Sequence, residues 1–317
     1  PAVAGYCRIY LSHYLIFTVP ILLMNNFTLY MIAAGKSALS MVCSITGGIL
    51  NIVLDYVFIS ILDMGIAGAA IATGLGYSVT AVAGLVIFSK KDCLLHFVKP
   101  VCRIRTLVSA ASNGSSEMAA ALVTGIVTMM FNWTMLKYVG ENGVAAITII
   151  MYVLMFATSL YTGYSYGVAP MISFYYGEQN QGKLKKLIRL SMKIIGFIGA
   201  AALIISLAVT EPLVAIFARS GNPVYDLAVT GNRICSSALV FIGFNVFASG
   251  MFTALSNGLV SAVLAFSRSF VFMVAAMLIL PAILGVTGAW LATPAAEAAA
   301  FLLSAVMFIK YRKKYQY

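Results

Sequence analysis

Apolar runs long enough to cross a bilayer follow one another along almost the whole chain, and this pattern decides the fold class before any motif is read. A membrane-crossing helix needs about 20 mostly apolar residues. Nine stretches reach that length: about 9–33, 38–61, 65–88, 107–136, 144–176, 194–217, 227–254, 259–284 and 287–309. Short breakers such as Ala34-Gly35-Lys36, Asp63-Met64-Gly65 and Ser256-Asn257-Gly258 separate them. Two longer polar connections, 89–106 and 177–193, stand out. No stretch alternates like a strand over ten residues, which argues against a barrel. The chain is 62% apolar and 9% charged, against roughly 45–50% and about 25% in soluble domains. The expectation is an all-α polytopic membrane protein.

The net charge of +11 comes from 20 Lys and Arg against 9 acids. Acids are scarce as much as bases are plentiful, so the excess is not the footprint of a nucleic-acid binder. The bases are also unevenly placed. Fifteen of the 20 fall on one side of the predicted spans: Lys36, the 90–105 connection, the 183–193 connection and the C-terminus. The positive-inside rule makes that side cytoplasmic, with the C-terminus on it. The stretch 183–193 (KLKKLIRLSMK) reads as a basic amphipathic interfacial helix facing the headgroups.

The five cysteines, Cys7, Cys43, Cys93, Cys102 and Cys235, show no CxxC spacing, and His13 and His96 are too few for a histidine metal site. No metal or cofactor is expected. No basic n-region, short apolar core and small-residue cleavage site is seen ahead of the first span, so no signal peptide is expected there.

An internal repeat is visible. Residues 65–73 read GIAGAAIAT and residues 285–293 read GVTGAWLAT. Gly35 and Gly258, and Arg8-Ile9 and Arg233-Ile234, follow in the same order. Six spans fit within that offset, so the copies are parallel, related by an axis along the membrane normal. Spans 1–3 then match spans 7–9, and spans 4–6 lack a partner. With Pro1 in place of a methionine, this reads as the last nine of twelve helices in two six-helix repeats. The alternative is a nine-helix protein.

A carboxylate at bilayer depth costs at least ~2.5–3.5 kcal/mol on insertion scales and usually works for its place. Asp55 lies in the second span, with Asn51 one turn earlier on the same face. Asn25 and Asn26 lie in the span before, Thr73 in the span after. Glu117, in the fourth span, is a second such acid, and Glu297, near the centre of the last, a third. Glu211, before Pro212, reads as interfacial. Arg268 inside the eighth span needs a partner or must snorkel, and the sequence favours snorkelling. Gly163-Tyr164-Ser165-Tyr166-Gly167 spells GxSxG, but inside a span and without a nearby histidine it reads as a GxxxG packing surface rather than a hydrolase elbow.

These residues, with Asn51-x-x-Leu54-Asp55, Met64-Gly65-Ile66-Ala67-Gly68-Ala69-Ala70-Ile71-Ala72-Thr73, Gly140-Glu141-Asn142-Gly143-Val144-Ala145-Ala146 and the stretch from Gly163 to Pro170 with Tyr176-Gly177, resemble the multidrug and toxic compound extrusion (MATE) family, in its MepA-like branch. The resemblance covers essentially the whole chain. It implies two six-helix lobes about a central cavity, alternating access and drug export driven by H+ or Na+. It carries the family's coupling cluster onto Asn25, Asn51, Asp55 and Thr73, and its C-lobe acid onto Glu117. The seventh span offers Asn245 where some sodium-coupled members carry an Asp.

The expectation is therefore a multi-pass protein of the plasma (inner) membrane, not an enzyme. Residues 1–89 form the second half of an N-terminal lobe, 90–106 a cytoplasmic linker and 107–317 a six-helix C-terminal lobe. It exports amphipathic cationic organic compounds by H+ or Na+ antiport, as a monomer among membrane lipids. Asp55, Asn51, Asn25, Thr73 and Glu117 couple the ion; Glu297, Asn245 and Tyr30 line the substrate cavity. Two rivals are a lipid-linked oligosaccharide flippase of the same superfamily, which would want a strongly basic cavity, and an intramembrane hydrolase using Ser165.

Overall fold

Long apolar runs in a solvent that cannot hydrogen-bond must satisfy their own backbone, and the helix does so within one segment. The computed structural model describes residues 2–90, 93, 95–99 and 103–315, without the side chains of 2–3, 33, 105–106 and 109–121. Twelve α-helices carry nearly all of it. They are α1 (Ala2–Ile16), α2 (Thr18–Ala33), α3 (Ser37–Asp55), α4 (Gly65–Phe88), α5 (Ile104–Val139), α6 (Glu141–Gly177), α7 (Gln181–Phe217), α8 (Pro223–Cys235), α9 (Leu239–Ala254), α10 (Gly258–Phe266), α11 (Met273–Leu284) and α12 (Val286–Tyr315). Wider π-helical turns extend α3 over Tyr56–Ile61 and join α10 to α11 over Ser267–Phe272, and a 3₁₀ turn, Ser236–Ala238, joins α8 to α9. There is no strand among the described residues.

Among the described residues, seven unbroken helical segments are long and apolar enough to span a membrane, and the bent pair α1–α2 makes an eighth if counted as one span. The expected span 107–136 falls on α5, where many side chains lie outside the described residues. The first expected span, 9–33, is not straight: its halves meet at 59°. Pro20 is the cause. It has no N–H to give the carbonyl of Ile16, and its ring crowds that carbonyl. The chain turns at Phe17, whose N–H bonds instead to the Tyr14 carbonyl at 3.0 Å.

The second difference concerns 177–193. After a short turn at 178–180, this stretch is not a separate interfacial helix: α7 runs unbroken from Gln181 to Phe217. Nothing between Lys183 and Ile194 can stop a helix; Asn180 caps it, accepting from the Lys183 N–H at 3.2 Å. At about 1.5 Å per residue, 37 residues reach about 55 Å, well beyond the ~30 Å hydrocarbon layer, so its basic first turns stand outside that layer.

The chain divides into two compact units, Pro1–Arg103 and Ile104–Tyr317. In the first, α1, α2 and α3 pack on α4, with a small core of Phe27, Met31, Phe88 and Cys93. The second has a larger core. One part gathers about Trp290 and Ile150, and another about Ile188, Phe247 and Phe252.

The repeat seen in the sequence recurs in backbone detail. After α2, the N–H groups of Ala34, Gly35 and Lys36 bond to the carbonyls of Tyr30, Ile32 and Met31. After α9, those of Leu255, Ser256 and Asn257 bond to Met251, Thr253 and Phe252, each 221 positions later (Lys36 to Asn257). Both turns take a left-handed residue, Gly35 (φ 74°) and Ser256 (φ 58°). Ser40 clips α3 to the Thr28 carbonyl, and Ser261 clips α10 to the Ser249 carbonyl at the same offset. The break at Phe17 finds its counterpart in the 3₁₀ turn Ser236–Ala238.

Phe17, at the bend, lies against Gly74 of α4; a Cβ at position 74 would overlap its ring. Gly74→Ala is expected to cost about 1–3 kcal/mol, the usual penalty of overpacking. Phe17→Ala added to it should return much of that loss. Thermal unfolding of the single and double variants in detergent checks the coupling.

Candidate functional site

Two stripes of small and polar residues face each other in the first unit. On α3 they are Ser44, Gly47, Gly48 and Asn51; on α4, Thr73, Gly76, Tyr77 and Thr80. Both follow the i, i+3, i+4, i+7 spacing that places residues on one helix face. With Met24 of α2 they line a cavity of about 160 Å³. Glycine sets its geometry. A Cβ on Gly47 would stand 2.6 Å from the Gly76 carbonyl oxygen, and one on Gly76 would stand 2.8 Å from the Gly47 oxygen and 3.0 Å from the Asn51 Cβ. No other residue lets the two backbones meet there.

Two buried polar atoms on the α3 face have no hydrogen-bond partner among the described residues, Asn51 Nδ2 and Asp55 Oδ1. Buried polar atoms are paired in the great majority of cases, and the exceptions cluster where a site acts on something mobile. Asp55 is the last residue of α3, at the entry to the π-helical turn Tyr56–Ile61, a distortion frequent at functional sites. Drug-sized pockets run to ~300–1,000 Å³. A cavity of 160 Å³ fits an ion with a few waters, each about 30 Å³ in the liquid.

The sequence-predicted coupling residues separate in the structure. Asn51 and Thr73 share the cavity. Thr73 gives its hydroxyl proton to the Ala69 carbonyl at 2.9 Å, which leaves its oxygen free to accept. Asp55 lies one turn from Asn51 on the same face but outside the cavity lining. Asn25 is exposed and donates back to the Ile21 carbonyl at 3.1 Å. Glu117 falls within α5, and its side chain lies outside the described residues. Cys102 also lies outside them, and the other four cysteines are free thiols.

The second unit holds a buried polar cluster. Glu297, 4% exposed, accepts from the Asn245 side-chain amide at 2.7 Å and from Arg268 Nε at 2.8 and 3.0 Å. The Asn245 amide also reaches the Glu297 backbone carbonyl at 2.9 Å, and the Ser304 hydroxyl donates to Asn245 Oδ1 at 3.2 Å. Helices α9 and α12 and the π-helical turn Ser267–Phe272 meet there. Arg268 therefore does not snorkel; its partner is an acid 29 residues on. Glu297 and Asn245 do come together, but in a closed cluster rather than a cavity wall. Tyr30 lies elsewhere, in the first unit, where with Phe27, Phe88, Phe97, Leu95 and His96 it lines an aromatic cavity of about 190 Å³.

One further expectation changes. Among the described residues, Gly163 and Gly167 have nothing within 4 Å of where a Cβ would stand, so they form no close-packing surface there. Ser165 is buried, its Oγ without a partner, and both histidines of the chain belong to the other unit. Glu211 is at an exposed position, 2.7 Å from Arg233.

With this geometry in hand, comparison with known proteins is informative. The MatE family model matches residues 117–279, more than half of the chain. "Multidrug export protein MepA" of Staphylococcus haemolyticus (strain JCSC1435) is 24% identical over 282 residues, which cover 88% of this chain and 61% of that protein. Its namesake in Staphylococcus aureus (strain bovine RF122 / ET3-1) is 23% identical, with 88% and 61% covered. The chain thus spans about three-fifths of the length of these relatives. Among solved structures, the inward-facing conformation of a multidrug resistance MATE family transporter of the MOP superfamily superposes with a TM-score of 0.86 at 23% identity, covering 100% of this chain and 73% of that one. An outward-facing conformation gives 0.79, with 92% and 66% covered, also at 23% identity. A Pyrococcus furiosus Vc1 (DSM3638) MOP superfamily transporter, described as having a binding pocket of reverse polarity, gives 0.80 at 24% identity, with 96% and 70% covered. At such identities the likeness is one of fold.

Proposed function

The chain belongs to the MatE family, and from that premise we propose that it works in secondary active multidrug export, moving amphipathic cationic organic compounds out of the cell against inward H+ or Na+. One observation carries the coupling half of this reading. In the first unit a small, ion-sized cavity is walled in part by Asn51 and Thr73, and one turn from Asn51 the buried Asp55 Oδ1, like Asn51 Nδ2, has no hydrogen-bond partner among the described residues. In a membrane span such groups are expensive to keep, and the arrangement suits a proton or cation that comes and goes. Asp55 is the exchanging acid, and Asn51 and Thr73 hold the ion beside it. Asn25 stands on the neighbouring helix to join them when the helices shift, and Glu117 supplies the acid of the second lobe.

In this reading residues 1–89 belong to an N-terminal lobe, 90–106 link the lobes and 107–317 form the C-terminal lobe, its C-terminus in the cytoplasm. Substrate is held by apolar and aromatic walls, with Tyr30 among the contacts. The Glu297–Asn245 cluster acts as a tie that keeps α9, α12 and the Ser267–Phe272 turn moving as one body. The protein acts as a monomer.

The rival readings fare less well. A flippase for lipid-linked sugars wants free basic charge, and Arg268 is neutralised by Glu297. A hydrolase at Ser165 wants a histidine, and its unit has none.

Efflux of ethidium from cells stripped of their own exporters is the test. Cells making the protein should clear the dye faster than controls, and the gain should vanish with a protonophore or on removal of sodium. Clearance equal to the control, at normal membrane levels of the protein, would refute the reading.

A further inference from the structure

Helices α7 and α12 both pack on α9, and near their basic ends they leave a groove of about 230 Å³ between them. Its lining is Lys185, Ile188 and Arg189 from α7, and Phe308, Ile309 and Arg312 from α12. Helix α7 contributes one apolar side chain and two cations, and α12 two apolar side chains and one cation, so the three cations come from two elements that are far apart in sequence. Among the described residues, none of Lys185, Arg189 and Arg312 forms an ion pair; the two ion pairs present are Arg233–Glu211 and Arg268–Glu297.

The floor and the rim differ in character. Ile188 is buried in the core cluster that also holds Phe252 and Leu264. Ile309 is 75% exposed and closes the apolar run of α12. Arg312 comes one turn beyond it, and Lys185 and Arg189 precede the apolar run of α7 that begins at Ile194. The groove therefore crosses the boundary between hydrocarbon and headgroups. Its apolar floor lies on the hydrocarbon side and its three charges lie at headgroup depth.

We propose that this groove is a binding site for an anionic phospholipid, with the acyl chain against Ile188, Phe308 and Ile309 and the headgroup phosphate held by Lys185, Arg189 and Arg312. Arginine presents a planar fork of donors that matches a phosphate in two-point contact, and the groove has two arginines facing it from opposite walls. A free phosphate would use the charges but leave the apolar floor uncovered. The floor is what selects a lipid. The site rests on the membrane-spanning architecture alone and is independent of the transport reading. Because α12 also carries Glu297 and α9 carries Asn245, an occupied groove would brace the helices tied by that cluster.

Thermal unfolding of the whole protein in neutral detergent, titrated with phosphatidylglycerol, phosphatidylcholine or inorganic phosphate, tests the proposal. Phosphatidylglycerol should raise the midpoint at concentrations where the other two do not. The variant Lys185→Gln/Arg189→Gln/Arg312→Gln should need about tenfold more phosphatidylglycerol, or more, for the same shift. A control, Lys183→Gln/Lys186→Gln/Lys313→Gln, removes as much charge from the same end but none from the groove, and should stay within about threefold of the parent. Ile309→Trp, which fills the groove and keeps every charge, should weaken the lipid effect as well. Equal losses in the groove and control variants, an unchanged response in Ile309→Trp, or equal stabilisation by inorganic phosphate would each overturn the site.

Discussion

Replacing Asp55 by asparagine is expected to reduce ion-coupled export to background while leaving the fold intact. Asp55 is the one acid within an apolar run of residues 1–103; Asp63 and Asp92 lie in connections. Exchange of a proton or cation in this unit has no other carboxylate inside the membrane to use. Its Oδ1 is buried and unpaired, and Asn51, one turn away, is in the same condition. Asparagine has nearly the same shape but takes up no proton and carries no charge, so the substitution separates chemistry from packing. Removing a charge from a span should also ease insertion rather than hinder it. The measurement is drug-dependent H+ or Na+ movement in membrane vesicles, with binding of ethidium as the control. Binding should persist and ion movement should vanish. Export against a gradient at the parental rate would move coupling to Glu117, or to Glu297 freed from Arg268.

The second large effect concerns stability. Arg268→Leu should leave Glu297 as a buried acid with its cation gone, held by Asn245 alone. Breaking a buried pair from one side costs about 3–5 kcal/mol, because the remaining charge is stranded. The double variant Arg268→Leu/Glu297→Gln should regain much of this loss. Glutamine keeps the Asn245 hydrogen bond, and leucine covers the space left by the guanidinium stem. Unfolding midpoints of the two variants and of Glu297→Gln alone form the cycle. A single Arg268→Leu variant as stable as the parent would mean that the pair contributes nothing to holding α9, α12 and the Ser267–Phe272 turn together.

The spans and the repeat were legible because both rest on local pattern. An apolar run of 20 residues has few alternatives in a membrane, and GIAGAAIAT against GVTGAWLAT marks the same turn entering the same kind of helix. Asn51 and Asp55 were legible for the same reason, since i, i+4 spacing on a helix fixes a shared face. The bend at Phe17 carried a local signal too, in Pro20, but the apolar run around it masked the break. The stripes Ser44–Asn51 and Thr73–Thr80 have the spacing of one helix face, but were not singled out from the sequence. That they face each other is not legible there, because helix contact depends on the third dimension. The Arg268–Glu297 pair fails for this reason as well: each residue alone looked like a snorkelling cation or a cavity acid, and 29 residues of chain separate them. The Gly163–Gly167 pair is the converse. Two small residues four apart permit close packing, but nothing in the sequence says which helix face meets a neighbour, and this one meets none within 4 Å.

Coupling is reciprocal: if an ion gradient drives the drug, a drug gradient must drive the ion. The most direct test uses the purified protein in proteoliposomes with an imposed ethidium gradient and no ion gradient at the start. Ethidium flow should pull H+ or Na+ the opposite way, read by a trapped pH- or sodium-sensitive dye, and Asp55→Asn should abolish that counterflow. Ethidium moving with no ion counterflow, or counterflow undiminished in Asp55→Asn, would contradict the account.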